Sequence, residues 1–430
     1  MNGTTVDREG RPLLAAEIAR HALDRVPLSI IFDDSTVLVN LNYFFLRDRT
    51  TVRSMAEDRD RRWEDLPVVH PTSFTREFAE WCLASGVRGK FSVVPCPAAL
   101  GRIDEGLPLF SKAQQDEWLA MCREVIVPAF DITPEMLTHT FVVDPKTLRP
   151  LPSGIWEQYD WAALPEDQEE LVTEYIARAC RILDAVGLPP QGVTSPGGFG
   201  GRTLPFYARC AGEAVRQVTG NPVPFFFQRV SSEAAVDTPV WYPDRRAGQA
   251  TGEIIASTGD WTGSWTGYGE VDADRYITPD LEGGRLPALI DAGEPAVLIS
   301  HWQGFYGMHD GDRRGFRAFQ QVVGRLAERD PRGERTRWRT CSQITTYACA
   351  REMAEVSVEG NAVRLDLPVQ TPDLTLRLTG REVRSVRVDG RPLERAPNRA
   401  AFRGGTFLLE DGVALAAFDP PGRRVLVEVE

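Results

Sequence analysis

The sequence predicts an α/β fold, a (β/α) barrel of seven or eight units followed by a small all-β domain with a sandwich-like arrangement. Apolar runs alternate with helix-patterned segments up to about residue 353, which is typical of parallel sheets. From residue 354 the pattern changes to short alternating runs separated by turn residues. With 430 residues and 42% hydrophobic content, the chain can bury both cores. We expect an N-terminal extension over 1–24, a barrel over 25–353 and a β-sandwich-like domain over 354–430.

Local signals predict the individual elements. A helix is expected after Ser111, which has capping-box spacing to Gln114. Another is expected to begin at Pro165, to carry an acidic first turn and to end at Gly187. Barrel strands are predicted at 27–32, 90–94, 191–194, 224–230, 252–257 and 296–300.

The composition argues against several classes of partner. The net charge is −12 and no Lys/Arg-rich patch is present, so nucleic acid is not an expected partner. Residues 1–12 lack the order of a signal peptide and no apolar stretch approaches a membrane span, so we expect a cytoplasmic protein with no membrane partner. The seven cysteines are widely spaced and are expected to be reduced core residues. The sequence is compatible with a homo-oligomer.

Candidate catalytic groups follow the apolar runs. Asp33 and Asp34 directly follow the run 27–32, and later runs reach His139 and His301. In a parallel barrel the C-terminal strand ends converge on one mouth. Adjacent carboxylates point to opposite sides of the chain, so one can hold a cation while the other faces a water or substrate. The alternatives are that the Asp-Asp step arose by chance and that each histidine makes a structural hydrogen bond.

His139 is the first candidate for a further metal ligand, and His70, in a loop before a proline, is the second. Carboxylate and imidazole groups delivered from separate strands form the usual ligand set for a divalent cation. The residues alone therefore suggest a site made of Asp34 with His139, His70 or both.

The order of these segments resembles the polysaccharide deacetylases of carbohydrate esterase family 4, the NodB-homology family. Phe32-Asp33-Asp34 matches their first motif. The resemblance implies a barrel of the polysaccharide deacetylase type, in which Asp33 is the general base and Asp34 binds a divalent metal ion, zinc in the first place. It covers roughly residues 28–302 at the level of motifs.

The second family motif is matched only in part. It consists of His, Ser or Thr, two further residues and His, and His139-Thr140 matches its start. Val143 stands where the second ligand His belongs. The resemblance therefore implies either that His70 or Asp144 supplies the missing ligand, or that the site has lost its metal.

The later motifs follow in order with substitutions. Ser195 stands where the third motif has an arginine, and Arg202 or Arg229 is expected to supply that charge. Asp260-Trp261 resembles the fourth motif, which implies that Asp260 orients the catalytic histidine and that Trp261 walls the sugar pocket. The run ending in His301 resembles the fifth motif, which implies that His301 is the general acid.

Aromatic residues cluster beside these loops and predict a saccharide partner. Trp261, Trp265 and Trp302 lie near the predicted catalytic residues, with glycine and serine between them. Indole faces stack on the apolar faces of sugar rings while a few polar groups such as Ser195 and Arg229 fix the hydroxyls. The alternative is that the rings fill the barrel mouth as core residues.

Together these features predict a carbohydrate-active hydrolase, in the first place a metal-dependent deacylase of a saccharide with Asp33 as base and His301 as acid. Two alternatives stay open. A metal-independent glycoside hydrolase would pair Asp33 or Asp34 with Asp260 or Glu270. A non-catalytic saccharide-binding protein would use the same barrel.

Overall fold

The computed structural model describes residues 13–36, 71–107, 110–265, 267, 269–307 and 311–430. These residues form a mixed α/β structure with four β-sheets. His70, predicted as a metal ligand, lies outside the described residues.

The secondary structure follows the chain in this order. The helices are α1 Thr72–Ser85, α2 Lys112–Met121, α3 Glu169–Ala185, α4 Leu204–Thr219, α5 Arg285–Ala292, α6 Trp302–Tyr306, α7 Arg314–Arg329 and α8 Cys341–Met353. The strands are β1 Ala15–Ile18, β2 Val26–Ser35, β3 Gly89–Val93, β4 Phe130–Pro134, β5 Gly192–Thr194, β6 Phe225–Val230, β7 Val240–Asp244, β8 Gln249–Ala256, β9 Ala296–His301, β10 Thr336–Trp338, β11 Glu355–Glu359, β12 Ala362–Asp366, β13 Leu374–Thr379, β14 Val386–Val388, β15 Arg391–Pro392, β16 Glu394–Arg395, β17 Thr406–Glu410, β18 Val413–Phe418 and β19 Arg424–Val429.

Two sheets of mainly parallel strands form the larger part of the molecule. One has the order β10-β2-β3-β4 with β9 also paired to β2, and the other has the order β5-β6-β8-β7. Their strands are parallel except β7, which is antiparallel to β8. The register pairs Asp33 with His301 across β2 and β9, so the two strands end side by side.

A closed barrel is not confirmed, because the hydrogen-bonded ladder is interrupted twice among the described residues. Between β4 and β5 the contact consists of the isolated bridges Ile132–Pro190 and Glu135–Thr194. Between the end of β8 and β9, the Ser257 amide donates to the Val297 carbonyl at 2.8 Å. The parallel strands therefore belong to two sheets that touch at both edges.

The segment around His139 differs from its prediction as a strand end. It lies in the loop after β4, and His139 has a φ of 63°, which ends any extended conformation there. The amides of Leu137, Thr138 and His139 donate to the Glu157 carboxylate, at 3.2, 2.8 and 2.6 Å. The Glu157 carboxylate thus accepts hydrogen bonds from backbone amides that would otherwise pair with a neighbouring strand.

The C-terminal residues form two sheets that share a core, here called the sandwich. The sheet orders are β1-β13-β18-β17-β16 and β11-β12-β19-β14-β15. Buried side chains of both sheets, such as Leu376 and Val427, pack in one cluster. Within the segment predicted as an N-terminal extension, β1 pairs antiparallel with β13, so residues 15–18 are part of this sandwich.

The helix signals agree with the structure in part. Ser111 and Gln114 form the expected capping box of α2. The helix predicted from Pro165 begins at Glu169, because residues 165–168 form a turn before it. All seven cysteines are buried and unpaired. Among the described residues, no helix combines the length and apolar composition needed to cross a membrane.

Candidate functional site

A cavity of about 290 Å³ lies at the C-terminal ends of the parallel strands. Its polar lining includes Asp33, Asp34, Glu135, His139, Gln158 and His301. Asp33, Asp34 and His301 end β2 and β9, and Glu135 and His139 follow β4, so the strand directions bring these five residues to one place.

Asp34, Glu135 and His139 form a buried cluster on one side of this cavity. The Nε2 atom of His139 lies 2.9 Å from Oδ1 of Asp34 and 3.3 Å from Oε1 of Glu135. Glu135 Oε2 accepts from the Asp34 amide at 2.7 Å and from the Ser92 hydroxyl at 2.6 Å. Asp34 has a φ of 63°, so the chain leaves the extended conformation at the carboxylate itself.

The charges of Asp34, Glu135 and His139 stabilise one another within this cluster. Burial alone would raise the pKa of Asp34, but the charge and hydrogen bond of His139 hold it below the usual value. Burial alone would lower the pKa of His139, but Asp34 and Glu135 raise it well above the usual value. The imidazole is therefore protonated when no cation occupies the cluster.

The donor set fits a divalent metal ion. One ligand atom from each of Asp34, Glu135 and His139 can be chosen so that all lie within 4.8 Å of one another. Two carboxylates and one imidazole form a set that suits zinc and similar cations and leaves room for a water. Because His139 carries a proton beside these carboxylates, metal binding would release it.

Asp33 occupies a different environment from its neighbour. Its Oδ1 atom lies 2.5 Å from Nζ of Lys90, a lysine with a fully buried side chain that also donates to Thr194 at 2.6 Å. Burial is the largest effect on the pKa of Asp33; Lys90 and His301 offset part of it, Glu135 adds to it, and the pKa is raised to about 6 in all. Asp33 is thus ionised at neutral pH and close to its titration range.

His301 and Asp260 form a hydrogen-bonded pair. Nδ1 of His301 lies 2.8 Å from Oδ2 of Asp260, whose Oδ1 accepts from the Thr262 hydroxyl at 2.7 Å. Burial alone would lower the pKa of His301, but Asp260, Asp34 and Asp33 raise it to about 9. At neutral pH the imidazole is therefore a cation that can give up a proton to the cavity.

Glu157 and Gln158 brace the loop that carries His139. Besides the three loop amides, Glu157 accepts from the hydroxyl of Tyr175 on α3. Burial raises the pKa of Glu157 more than these hydrogen bonds and His139 lower it, and the result is a pKa of about 7. The Gln158 amide lies 3.1 Å from Nδ1 of His139 and donates to the His139 carbonyl at 2.8 Å. The hydrogen bonds of the Glu157 carboxylate and of the Gln158 amide thus help to fix the orientation of the His139 imidazole.

Of the predicted substrate-binding residues, Ser195 and Trp265 line the cavity. The aromatic and aliphatic part of the lining also includes Tyr159, Phe227 and Ile299. Tyr159 is half exposed at the rim, so a ligand can reach its ring from solvent.

Trp302, Trp261 and Arg229 do not line the cavity, contrary to the sequence-based expectation. Trp302 is fully buried among phenylalanine rings and donates to the Ser35 hydroxyl at 2.7 Å. Trp261 stacks with the Arg275 guanidinium, 4.4 Å from its ring centre. Arg229 points to the other face of β6, where it pairs with Glu253 at 2.5 Å. The register of β6 against β8 shifts between Phe227 and Arg229, so the alternation of faces is broken there, and Phe227, Gln228 and Val230 line the cavity while Arg229 does not.

Asp144, one of the two suggested replacements for the missing ligand, lies outside the cluster. Its Oδ1 accepts from the amides of Lys146 and Thr147 in an exposed turn. Glu135 lies in the cluster instead, with Oε1 3.3 Å from Nε2 of His139. Glu135-Met136-Leu137-Thr138-His139 has the spacing of the second family motif, with glutamate in place of its first histidine and methionine in place of Ser or Thr.

Sequence reasoning missed Glu135 and Lys90. The one signal for Glu135 in the sequence was its position four residues before His139. Neither Arg202 nor Arg229, expected to supply the charge missing at Ser195, lines the cavity, and the positive charge beside Asp33 is that of Lys90. A lysine inside a strand is normally assigned to the surface, so its sequence position carried little signal.

Comparisons with known proteins give structural matches alone. No protein-family model matches the chain, and no curated protein matches it. Similar solved structures include a Mycobacterium smegmatis protein assigned as a polysaccharide deacetylase, with 14% identity, a TM-score of 0.42, and coverage of 76% of this chain and 92% of that one.

Glycoside hydrolases also match. A family 30 subfamily 8 xylanase of Clostridium acetobutylicum has 10% identity and a TM-score of 0.28, over 82% of this chain and 92% of that one. The α-fucosidase of Thermotoga maritima has 12% identity and a TM-score of 0.30, over 96% and 97%. These matches are carbohydrate-active enzymes, but such low values carry no argument about the activity of this chain.

Proposed function

We propose that this protein is a metal-dependent hydrolase that removes an acyl group from a saccharide. The observation that carries the proposal is that one cavity is lined by a buried Asp34–Glu135–His139 cluster, by Asp33 and by His301. The cluster offers a cation site, and the other two residues offer a base and an acid on the same substrate.

The protonation states support a division of labour. Asp33, with a pKa of about 6, is ionised at pH 7 and accepts a proton from the attacking water. His301, with a pKa of about 9, is protonated at pH 7 and donates its proton to the leaving amine or alcohol. The acyl carbon thereby gains the water oxygen and loses its bond to the sugar nitrogen or oxygen.

Held by Asp34, Glu135 and His139, a divalent ion, zinc in the first place, would polarise the acyl carbonyl and lower the pKa of the attacking water. Lys90 keeps Asp33 in place, because its ammonium holds one carboxylate oxygen. Asp260 fixes the His301 ring through Nδ1, so Nε2 is the atom that serves the leaving group.

The carboxylate pairs of a metal-independent glycosidase are not favoured. Such a pair needs two carboxyl groups facing the scissile bond from either side. Asp260 and Glu270 are absent from the described lining of the cavity, and both Asp260 oxygens are engaged by Thr262 and His301. A saccharide-binding protein without activity is the outcome expected if no substrate is turned over.

The deciding experiment measures metal and activity together. Elemental mass spectrometry of untagged protein purified without chelator should find about one divalent ion per chain, and acetate should be released from N- or O-acetylated oligosaccharides. Asp34→Ala should lose both. Asp144→Ala is the matched control, because this aspartate was a ligand candidate by sequence and bonds only to its own turn. An absence of metal in the native protein would overturn the proposal.

A further inference from the structure

A second cavity, here called the arginine cavity, lies at the opposite end of the parallel strands. It has a volume of about 130 Å³, several times the space of one water molecule, about 30 Å³. Arg20, Arg25, Arg339 and Arg351 line it together with Asp237. Arg25 directly precedes β2 and Arg339 directly follows β10, whereas Asp33 and Asp34 lie at the other end of β2.

The arginine cavity joins the two parts of the molecule. Arg20 follows β1 of the sandwich and Arg351 belongs to α8. Thr371 and Pro372, which precede β13, close the cavity from the C-terminal side. A ligand bound there would contact both the parallel sheets and the sandwich.

The positive charge in this cavity is only partly balanced. Asp237 is about half exposed and lies 3.8 Å from Arg20 and 3.9 Å from Arg351, so these contacts are loose. Arg339 is paired with Asp373 at 3.0 Å. His21 also lines the cavity, but burial lowers its pKa to about 4, so it adds no charge at neutral pH.

Arg25 has an unmet hydrogen-bonding need. Its side chain is buried with 3% of the residue exposed, and its Nη2 donates to the Arg399 carbonyl at 2.6 Å. Its buried Nε–H has no partner among the described residues. Burial is the main effect that lowers the pKa of Arg25; Arg337, Arg399 and Arg339 act in the same direction and Asp330 opposes them. A buried guanidinium with an orphan donor is costly unless an acceptor occupies the cavity.

We infer that the arginine cavity binds a small oxyanion of the phosphate type, free or as a phosphate monoester. Guanidinium groups donate paired hydrogen bonds in the geometry that phosphate oxygens accept. Arg25 lines the cavity and has an unmet donor, and Arg20 and Arg351 add charge from two other elements. The site is separate from the proposed hydrolase centre and does not depend on that proposal.

The test is a titration with inorganic phosphate, in which binding is measured by thermal unfolding and by calorimetry. Sodium chloride at equal ionic strength is the control. A parallel titration uses glycerol phosphate. We expect a saturable rise of Tm with phosphate, as a ligand of the native state produces. Tighter binding of glycerol phosphate would identify a monoester as the preferred form, and equal or weaker binding would identify free phosphate.

Variants locate the binding. Arg351→Gln should weaken the binding of phosphate at least tenfold, and Arg25→Gln should weaken that binding more if the variant folds. Arg351 is partly exposed, so its replacement leaves a testable protein even if Arg25→Gln does not fold. Arg332→Gln, at an exposed arginine paired with Glu334, is the control and should bind normally. An equal Tm rise with chloride, or unchanged phosphate binding by Arg351→Gln, would overturn the inference.

Discussion

The two halves of the site are built from adjacent residues and yet differ in electrostatic character. In the metal half, Asp34 meets Glu135 and His139, and the imidazole holds the pKa of Asp34 below its usual value. In the proton-transfer half, Asp33 meets Lys90, but burial is the larger effect and raises its pKa to about 6. The strand end places both carboxylates, and partners from other strands decide what each can do.

Removing one carboxylate at a time should separate the halves most strongly. Asp34→Asn should lose the metal and all activity. Asp33→Asn should keep the metal while the rate falls by about 10²–10⁴, because a general base is missing. Elemental analysis beside acetate release distinguishes them. Equal loss of metal in both variants would mean that the halves are not distinct.

Asp33→Asn also leaves Lys90 as a buried charge without its partner. Loss of stability is therefore a second reason for lost activity. The double variant Asp33→Asn with Lys90→Met removes both charges and controls for this, since it should regain stability but not activity.

His301→Gln should produce the next largest effect. Loss of the general acid should lower kcat by about 10²–10⁴ while the metal content stays normal. Asp260→Asn should cost less, since it changes the orientation and pKa of the imidazole rather than removing it. Normal turnover by His301→Gln would contradict its place in the proton-transfer half.

The pH dependence should sharpen the comparison. Activity should rise with pH as Asp33 ionises and fall as His301 loses its proton; their pKa values of about 6 and about 9 hold without a bound cation, whose charge should lower both. Lys90 lowers the pKa of Asp33, so Lys90→Met should move the acidic limb to higher pH, by roughly 1 or more. The alkaline limb should stay in place. Lys112→Met, at an exposed lysine on α2, should change neither limb of kcat/KM.

The smallest expected effect concerns the support of the metal half. Glu157→Gln removes a carboxylate that accepts from the His139 and Thr138 amides. We expect the free energy of unfolding to fall by about 1–3 kcal/mol, with weaker metal binding, because buried donors lose a strong acceptor. Denaturant unfolding and metal titration measure both. Glu174→Gln on α3, at an exposed ion pair, should leave both unchanged.

The sequence was informative where a side chain follows an apolar run. Asp33, Asp34 and His301 end such runs and lie together in the cavity. Glu135 was not among the predicted ligands, because β4 carries Asp131 and Thr133 and does not read as a continuous apolar strand. Without that strand, Glu135 had no recognisable strand end to follow.

Other contacts depend on tertiary structure alone. Lys90 is buried because Asp33 and Thr194, from β2 and β5, provide its acceptors. The position of His139 depends on Glu157, 18 residues further along the chain. Trp302 has the same local sequence context as a pocket aromatic, but the surrounding phenylalanine rings draw it into the core. No local pattern distinguishes these outcomes.

The pairing of β1 with β13 has a consequence for any attempt to divide the protein. A cut after residue 353 would remove β13 and leave β1 as an unpaired edge on the remaining fragment. Unpaired strand edges invite association with other chains. A fragment of residues 13–353 should therefore self-associate. A fragment of residues 25–353, which lacks β1, should elute closer to the position of a monomer in gel filtration.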